Sequence, residues 1–199
     1  MEGDIIKCLG QIEEKELVEF CQNLIKIPSH KDALSREKEM ALFLKDFMER
    51  EGIEVVLQEV AEGRSNVIRQ LENTYAEFRA EVNPIAVGPD TREQLKEIEK
   101  QGLEIPPHEP MEISRDSKIV RALSKAFKYV RGRNPEIAGM SGWTDASLLV
   151  NRAKIPTAVF GPGPVIKAHT TEEYVNIADL VDAAKVYAVT AVEVCSLSP

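Results

Sequence analysis

The chain has 199 residues, of which 43% are hydrophobic and 29% are charged, a composition that is ordinary for a globular protein with a sizeable core. Its 33 acidic and 25 basic side chains are spread along the whole length and leave a formal net charge of −8. We therefore expect no cationic surface that would bind nucleic acid or an anionic membrane.

Targeting and redox signals are weak throughout the sequence. The amino terminus is acidic and interrupted by charges, unlike a secretory signal, and no stretch reaches the roughly 20 apolar residues that a membrane-spanning helix requires. We expect a cytoplasmic protein. Cys8, Cys21 and Cys195 are odd in number and lack CxxC spacing, which favours free or buried thiols over disulfides or a thiolate zinc site.

The first part of the chain predicts two amphipathic helices. Apolar residues recur at helical spacing over 13–25, and Pro28 ends the pattern. A second apolar stripe runs over 39–52, where Gly52 suits a C-terminal cap.

Strand patterns follow these helices. Residues 53–60 and 65–71 are rich in β-branched side chains and predict two short strands. Residues 75–87 predict a further strand, and the charged segment 91–102 predicts a helix. The proline-rich segment 104–116 is interpreted as a connector.

The remainder of the chain alternates between helical and strand patterns. Helices are predicted over 115–132, 145–153 and 177–195, and a strand over 155–161. Such alternation predicts an α/β fold, a layered sheet with helices on both faces, in which loops at strand ends carry the site.

Three motifs near the carboxyl end carry the chemical signal. They are Gly-Trp-Thr-Asp at 142–145, Ile-Pro-Thr-Ala-Val-Phe-Gly-Pro-Gly at 155–163, and His-Thr-Thr-Glu-Glu-Tyr-Val at 169–175. The glycines after Phe160 permit a sharp turn, and we expect the loop beyond it to present His169 at a strand edge. In order and spacing the three motifs resemble the M20 metallohydrolases, which include aminoacylases, succinyl-diaminopimelate desuccinylases and carboxypeptidases.

The resemblance also implies a domain organisation. Residues 1–73 and 113–199 are similar to the two ends of a catalytic domain, whereas residues 74–112 are similar to the closing strand and helix of a lid domain, followed by the connector. Between Leu71 and Tyr75 the chain lacks a long segment of the full-length family, so the resemblance is to an internally shortened member.

What the resemblance implies about function is a zinc-dependent hydrolase of amide bonds in N-acyl amino acids or small peptides. His169 would be a zinc ligand, and Arg79, Thr144, Asp145 and Gly163 would lie on the substrate side. The family's other metal ligands, its bridging Asp and its Glu-Glu pair are not recognisable, and the catalytic base is unassigned.

Several of these residues also have a simpler interpretation. Asp145 precedes a helix and suits a plain N-cap, and Arg79 suits a structural surface role. His30 and Asp32 have His-x-Asp spacing but lie in a polar loop. Glu173 is interpreted as a carboxylate at the N-terminus of the last helix, where it would interact with the helix dipole.

A second functional hypothesis is a catalytically inert homologue that acts as a binding or vestigial domain. One imidazole holds a divalent ion weakly, and catalytic zinc normally has three protein ligands. For this chain alone the inert hypothesis is favoured. Loss of central strands would expose apolar sheet edges, which predicts a homodimer or low stability.

Overall fold

A computed structural model describes residues 2–29, 37–61, 64–68, 110–140 and 142–195. The elements in chain order are α1 (Glu2–Leu9), α2 (Glu14–Lys26), α3 (Lys38–Arg50), β1 (Val56–Ala61), β2 (Arg64–Ile68), α4 (Lys118–Arg131), α5 (Ala146–Asn151), a 3-10 turn (Val165–Lys167) and α6 (Ile177–Cys195). The chain divides into two compact units, a larger one of Met1–Val18 with Gly88–Pro199 and a smaller one of Glu19–Val87.

The core of the larger unit lies where α4 and α1 pack against α6. Ala126 of α4 is fully buried, Val186 and Val189 of α6 are each 1% exposed, and Ile5 of α1 is 5% exposed. A small side chain at position 126 suits a tightly packed contact between two helices, and the two valines belong to the same buried cluster. Partly buried residues surround this cluster: Leu9, Leu123, Phe127, Val130, Phe160 and Val192.

Ion pairs also join α4 to α6, one near the end of α6 and two near its start. Lys125 Nζ lies 2.7 Å from Glu193 Oε1, and the Glu193 side chain is only 9% exposed. Arg131 contacts two carboxylates of α6, Asp179 at 2.6 Å and Asp182 at 2.7 Å. A carboxylate as buried as Glu193 needs such a partner, because an unpaired charge in the core is costly.

In the smaller unit, α3 packs on an antiparallel hairpin of β1 and β2. The hairpin pairs Val56 with Ile68 and is irregular between Glu59 and Ala61. Arg64 at the start of β2 donates two hydrogen bonds to the Glu37 carboxylate, at 2.9 and 2.6 Å. A two-stranded hairpin is marginal by itself, so the packing of α3 is what stabilises it.

Aromatic contacts hold the carboxyl half of α2 in the same unit. The ring of Phe20 lies 4.3 Å from that of Phe47 and 5.9 Å from that of Phe43, measured between ring centroids. Gly52 follows α3 with a φ of 75°, as the sequence predicted for a C-terminal cap.

Most predicted helices are confirmed. The predictions over 13–25, 39–52, 115–132, 145–153 and 177–195 correspond to α2 to α6. Gly132 ends α4 with a φ of 70°, and its N–H donates to the Lys128 carbonyl. The short helix α1 was not predicted, although it is about as amphipathic as α3; it has only 8 residues and buries one side chain, Ile5.

The predicted layered sheet is not what the described residues form. They contain the two strands β1 and β2, which confirm the predictions over 53–60 and 65–71, but the predicted strand 155–161 has no regular secondary structure. Strand identity requires a paired neighbour, and alternation of side chains does not supply one. The predicted strand 75–87 and helix 91–102 lie outside the described residues.

No helix among the described residues is long and apolar enough to cross a membrane.

Replacing a core valine tests the packing of α4 on α6. Val189→Ala removes buried methyl groups at a 1%-exposed position, so the free energy of unfolding should fall by about 2 kcal/mol. Urea unfolding measures this change. The control is Val165→Ala, at a position 64% exposed, for which a change within roughly 0.5 kcal/mol is expected. Equal losses in both variants would contradict the assigned core.

Candidate functional site

The segment before the glycine turn is held by its last residue, Phe160. The Phe160 carbonyl accepts a 2.6 Å hydrogen bond from the Tyr187 hydroxyl of α6. Its ring meets those of Phe127 and Tyr187 edge to face, at centroid distances of 6.3 and 5.5 Å. Phe160 is therefore held by contacts to α4 and α6, and residues 155–161 have no regular secondary structure.

The glycine turn brings residue 163 against the segment that follows His169. Gly163 has a φ of 94°, and a Cβ added there would lie 3.1 Å from the Tyr174 carbonyl oxygen. A positive φ and a close backbone approach both favour glycine. Gly163, assigned to the substrate side by resemblance, thus has a clear structural reason to be glycine.

His169 is an exposed residue at the third position of a tight turn, Lys167–Thr170. Ala168 has φ −58° and ψ 140°, His169 has φ 63°, and the Thr170 N–H donates to the Lys167 carbonyl at 3.3 Å. These values match a type II turn, whose third position is usually Gly or Asn. The His169 N–H donates to Glu173 Oε2 at 3.1 Å.

Glu173 is not the helix-terminal carboxylate that the sequence analysis predicted. The helix α6 begins at Ile177, and its first-turn acidic residue is Asp179. Asn176, just before the helix, donates from Nδ2 to Asp179 Oδ2 at 3.1 Å. Asp179 therefore lies at the positive, N-terminal end of the α6 dipole, whereas the Glu173 side chain accepts a hydrogen bond from the backbone of His169.

Hydrogen bonds hold the pKa of Asp179 below its ordinary value of 3.8, first that from Asn176 and then that from Arg131. In turn, the hydrogen bond to Asp179 raises the pKa of Arg131 above its usual range, with the charges of Asp182 and Asp179 adding to the effect. Arg131 and Asp179 therefore both stay ionised near neutral pH, and their ion pair ties the end of α4 to the start of α6.

A cleft of about 320 Å³ opens beside this ion-pair group. Its walls are Phe127 and Arg131 of α4, the turn Gly161–Pro164, Tyr174, and Asp179 and Asp182 of α6. Gly163 lines it, whereas Thr144, Asp145 and His169 do not. The volume lies at the lower end of small-molecule sites.

The other predicted substrate-side pair lies at the start of α5. Asp145 occupies the N-cap position, but its φ of −59° and ψ of −15° are helical and its side chain makes no capping hydrogen bond. Thr144 Oγ1 accepts the 3.3 Å bond from the Ala146 N–H instead. An N-cap residue normally has extended dihedrals, so Thr144 performs the capping predicted for Asp145.

The structure thus joins some of the predicted site residues and leaves others apart. Gly163 and the His169 turn are linked through residues 173 and 174. In the part of the chain that the structure describes, no hydrogen bond or ion pair connects Thr144 or Asp145 with that turn. Arg79, His30 and Asp32 lie outside the described residues.

The metal-binding side chains among the described residues do not form a complete metal site. The described residues hold no group of three or more His, Cys, Asp or Glu side chains arranged to bind a metal ion. His169 offers one imidazole, and catalytic zinc normally takes three protein ligands.

Sequence reasoning missed two features, the Tyr187 bond to Phe160 and the Arg131 ion pairs. Both join residues far apart in the chain, where spacing carries no signal. The spacing Asn176-x-x-Asp179 does carry one, since a polar cap followed three residues later by an acid is typical of a helix start.

Alanine at position 163 tests the glycine turn. Because Gly163→Ala places a side chain at a φ of 94° and 3.1 Å from the Tyr174 oxygen, it should lower the free energy of unfolding by about 1–2 kcal/mol. Urea unfolding is the measurement. Gly139→Ala is the matched control, since an added Cβ there meets nothing within 4 Å and should change stability by less than roughly 0.5 kcal/mol.

The lowered pKa of Asp179 predicts an acid-dependent stability. Its contribution is full above the unfolded-state value of 3.8 and is lost as the pH falls through the lower folded-state value. Asp179→Asn should therefore be less stable than the original chain at neutral pH, and the difference should shrink in acid. Urea unfolding across this range measures the difference.

In an Asn176→Ala background the first cause of the Asp179 pKa shift is absent. The stability difference between chains with Asp179 and with Asp179→Asn should then depend less on pH. A difference that stays constant from neutral pH to strong acid would argue against the assigned hydrogen bonds.

Comparison with known proteins supplies the family. The model described as peptidase family M20/M25/M40 matches residues 16–193, which is most of the chain and includes the glycine turn, the His169 turn and nearly all of α6. No solved structure matches.

Curated relatives match shorter stretches. The chain is 38% identical over 77 residues to a putative LysW-lysine/LysW-ornithine hydrolase of Pyrobaculum aerophilum, covering 39% of this chain and 22% of that protein. It is 32% identical over 81 residues to a probable succinyl-diaminopimelate desuccinylase of Staphylococcus aureus, covering 39% and 20%. It is 36% identical over 76 residues to an uncharacterized metallohydrolase of Methanococcus maripaludis, covering 38% and 18%.

The chain therefore spans about a fifth of the length of the curated relatives that it matches. Their names describe hydrolases, one of them a metallohydrolase, which implies a divalent metal at the family level. With the family model matched over residues 16–193, the conclusion is that the chain belongs to peptidase family M20/M25/M40.

Proposed function

We propose that this chain contributes the His169 turn to the active site of an amide-bond hydrolase, and that the chain by itself does not hydrolyse substrate. The proposed substrates of the complete site are N-acyl amino acids or small peptides, and the proposed metal is zinc. The observation that carries the proposal is the isolation of His169, an exposed imidazole on a defined turn without grouped metal donors among the described residues.

The proposal that His169 contributes to a hydrolase active site rests on the family match together with the geometry of the turn. A metal ligand must be accessible and held in one orientation, and His169 is exposed while its backbone N–H is engaged by Glu173. The desuccinylase and the LysW-lysine/LysW-ornithine hydrolase among the relatives support amide-bond cleavage at an acyl group.

The proposal that the chain by itself does not hydrolyse substrate rests on the number of metal donors near His169 among the described residues. A single imidazole leaves the other coordination positions to water, which gives weak binding and no defined place for a substrate carbonyl. The cleft beside Gly163 does not include His169. Binding space and the candidate ligand are thus not combined into one catalytic centre by the described residues.

A second candidate is an active hydrolase whose missing donors come from residues outside the described ranges or from a second copy of the chain. The family model favours it, because its match runs from residue 16 to residue 193 and so includes the undescribed stretches. A homodimer is part of this candidate, since a second copy would supply the absent ligands.

The two candidates differ in metal content and activity. For protein purified without chelator, we expect zinc well below one ion per chain by elemental analysis and no hydrolysis of N-acetyl amino acids, N-succinyl amino acids or dipeptides above the buffer rate. His169→Ala should leave both results unchanged. Near-stoichiometric zinc with hydrolysis that His169→Ala abolishes would favour the second candidate.

The contribution of His169 has its own test. Titration with Co²⁺ should broaden the ring NMR signals of His169 at a lower metal concentration than those of His30 and His108, the other two histidines. His108→Ala is the control, since it lowers the histidine count and leaves the sequence of the Lys167–Thr170 turn unchanged. Broadening of His30 or His108 before His169 would contradict the proposed ligand.

A further inference from the structure

The His169 N–H belongs to the central peptide of the Lys167–Thr170 turn, and the orientation of that peptide decides the turn type. Type I and type II turns share the same end-to-end hydrogen bond but differ by a flip of this peptide. In type I the third residue has a φ near −90°, whereas in type II its φ is positive. The flip therefore decides which way the Cα–Cβ bond of His169 leaves the turn.

The observed orientation is the one that a histidine disfavours. Ala168 at φ −58° and ψ 140° with His169 at φ 63° is the type II arrangement. A positive φ costs a residue with a side chain free energy, and type I accepts most residues at this position. Something outside the four turn residues must offset that cost.

The acceptor for the flipped peptide is the Glu173 carboxylate. Glu173 Oε2 receives the His169 N–H at 3.1 Å, and a type I turn would direct this N–H away from it. A hydrogen bond from an amide to a carboxylate is roughly twice as strong as one between neutral groups. The backbone of Glu173 is itself placed, because its N–H donates to the Thr170 carbonyl at 3.2 Å.

We propose that Glu173 is a positioning residue that holds the Ala168–His169 peptide in the type II orientation and so sets the direction in which the His169 imidazole is presented. The role deepens the proposed function and rests on it, since direction matters only if His169 takes part in the site. The adjacent Tyr174 carbonyl lies against Gly163, so the same segment that carries the acceptor is located by the glycine turn.

The test reads the peptide orientation directly by NMR on the full chain. In a type II turn the Ala168 Hα and the His169 amide proton are close and give a strong NOE, and this NOE becomes weak in type I. Glu173→Ala should lose the strong NOE, and exchange of the His169 amide proton with water should accelerate about tenfold. Glu173→Gln retains an acceptor oxygen and should keep the NOE.

The matched control is Glu172→Gln. Glu172 pairs with Lys167 in the same turn, so this variant removes a charge of the same sign one residue away without touching the His169 N–H. It should keep both the NOE and the slow exchange. Equal loss in Glu172→Gln would assign the effect to loop charge and overturn the proposal.

Two further results would overturn it: an unchanged NOE in Glu173→Ala, or a loss in Glu173→Gln as complete as in Glu173→Ala. Because the carboxylate is exposed, the variants should keep the original urea unfolding transition, and this is checked for each. The readout needs neither metal nor substrate, so failure of the positioning role is distinguishable from failure of the proposed hydrolase function.

Discussion

The packing of α4 on α6 is the contact on which the larger unit depends. Ala126 of α4 is fully buried in one cluster with Val186 and Val189 of α6, and its side chain is only a methyl group. A leucine at position 126 would add three carbon atoms at a fully buried position, and overpacking of this kind destabilises a core. The cleft beside Gly163 and the contacts of Phe160 are both built on these two helices, so the packing of α4 on α6 constrains this part of the candidate site.

Contacts made by residues of α4 and α6, and by the loop between Phe160 and α6, hold the rest of this region. Tyr187 of α6 holds the Phe160 carbonyl, and Arg131 of α4 holds two carboxylates near the start of α6. The glycine turn then meets the Tyr174 carbonyl, and Glu173 meets the His169 N–H. These contacts lead from the buried apolar core to the exposed imidazole: two are hydrogen bonds to main chain, one is a pair of side-chain ion pairs, and one is a close backbone approach.

Family membership and catalytic competence are separate properties in this chain. Membership follows from local motifs and from the match over residues 16–193. Competence in metal-assisted hydrolysis requires several donors at fixed mutual distances, and the described residues hold no group of three or more such donors.

The sequence by itself determined the helices α2 to α6, the glycine caps at Gly52 and Gly132, the β1–β2 hairpin, and the motifs that identify the family. These are local properties, since periodicity, glycine φ preference and motif spelling act within a few residues of each other. Only the tertiary structure decided that 155–161 is not a strand, that Thr144 and not Asp145 caps α5, and that Glu173 serves His169 and not the helix dipole. In each of these cases several partners are compatible with the local sequence, and the choice among them depends on which groups packing brings within hydrogen-bond distance.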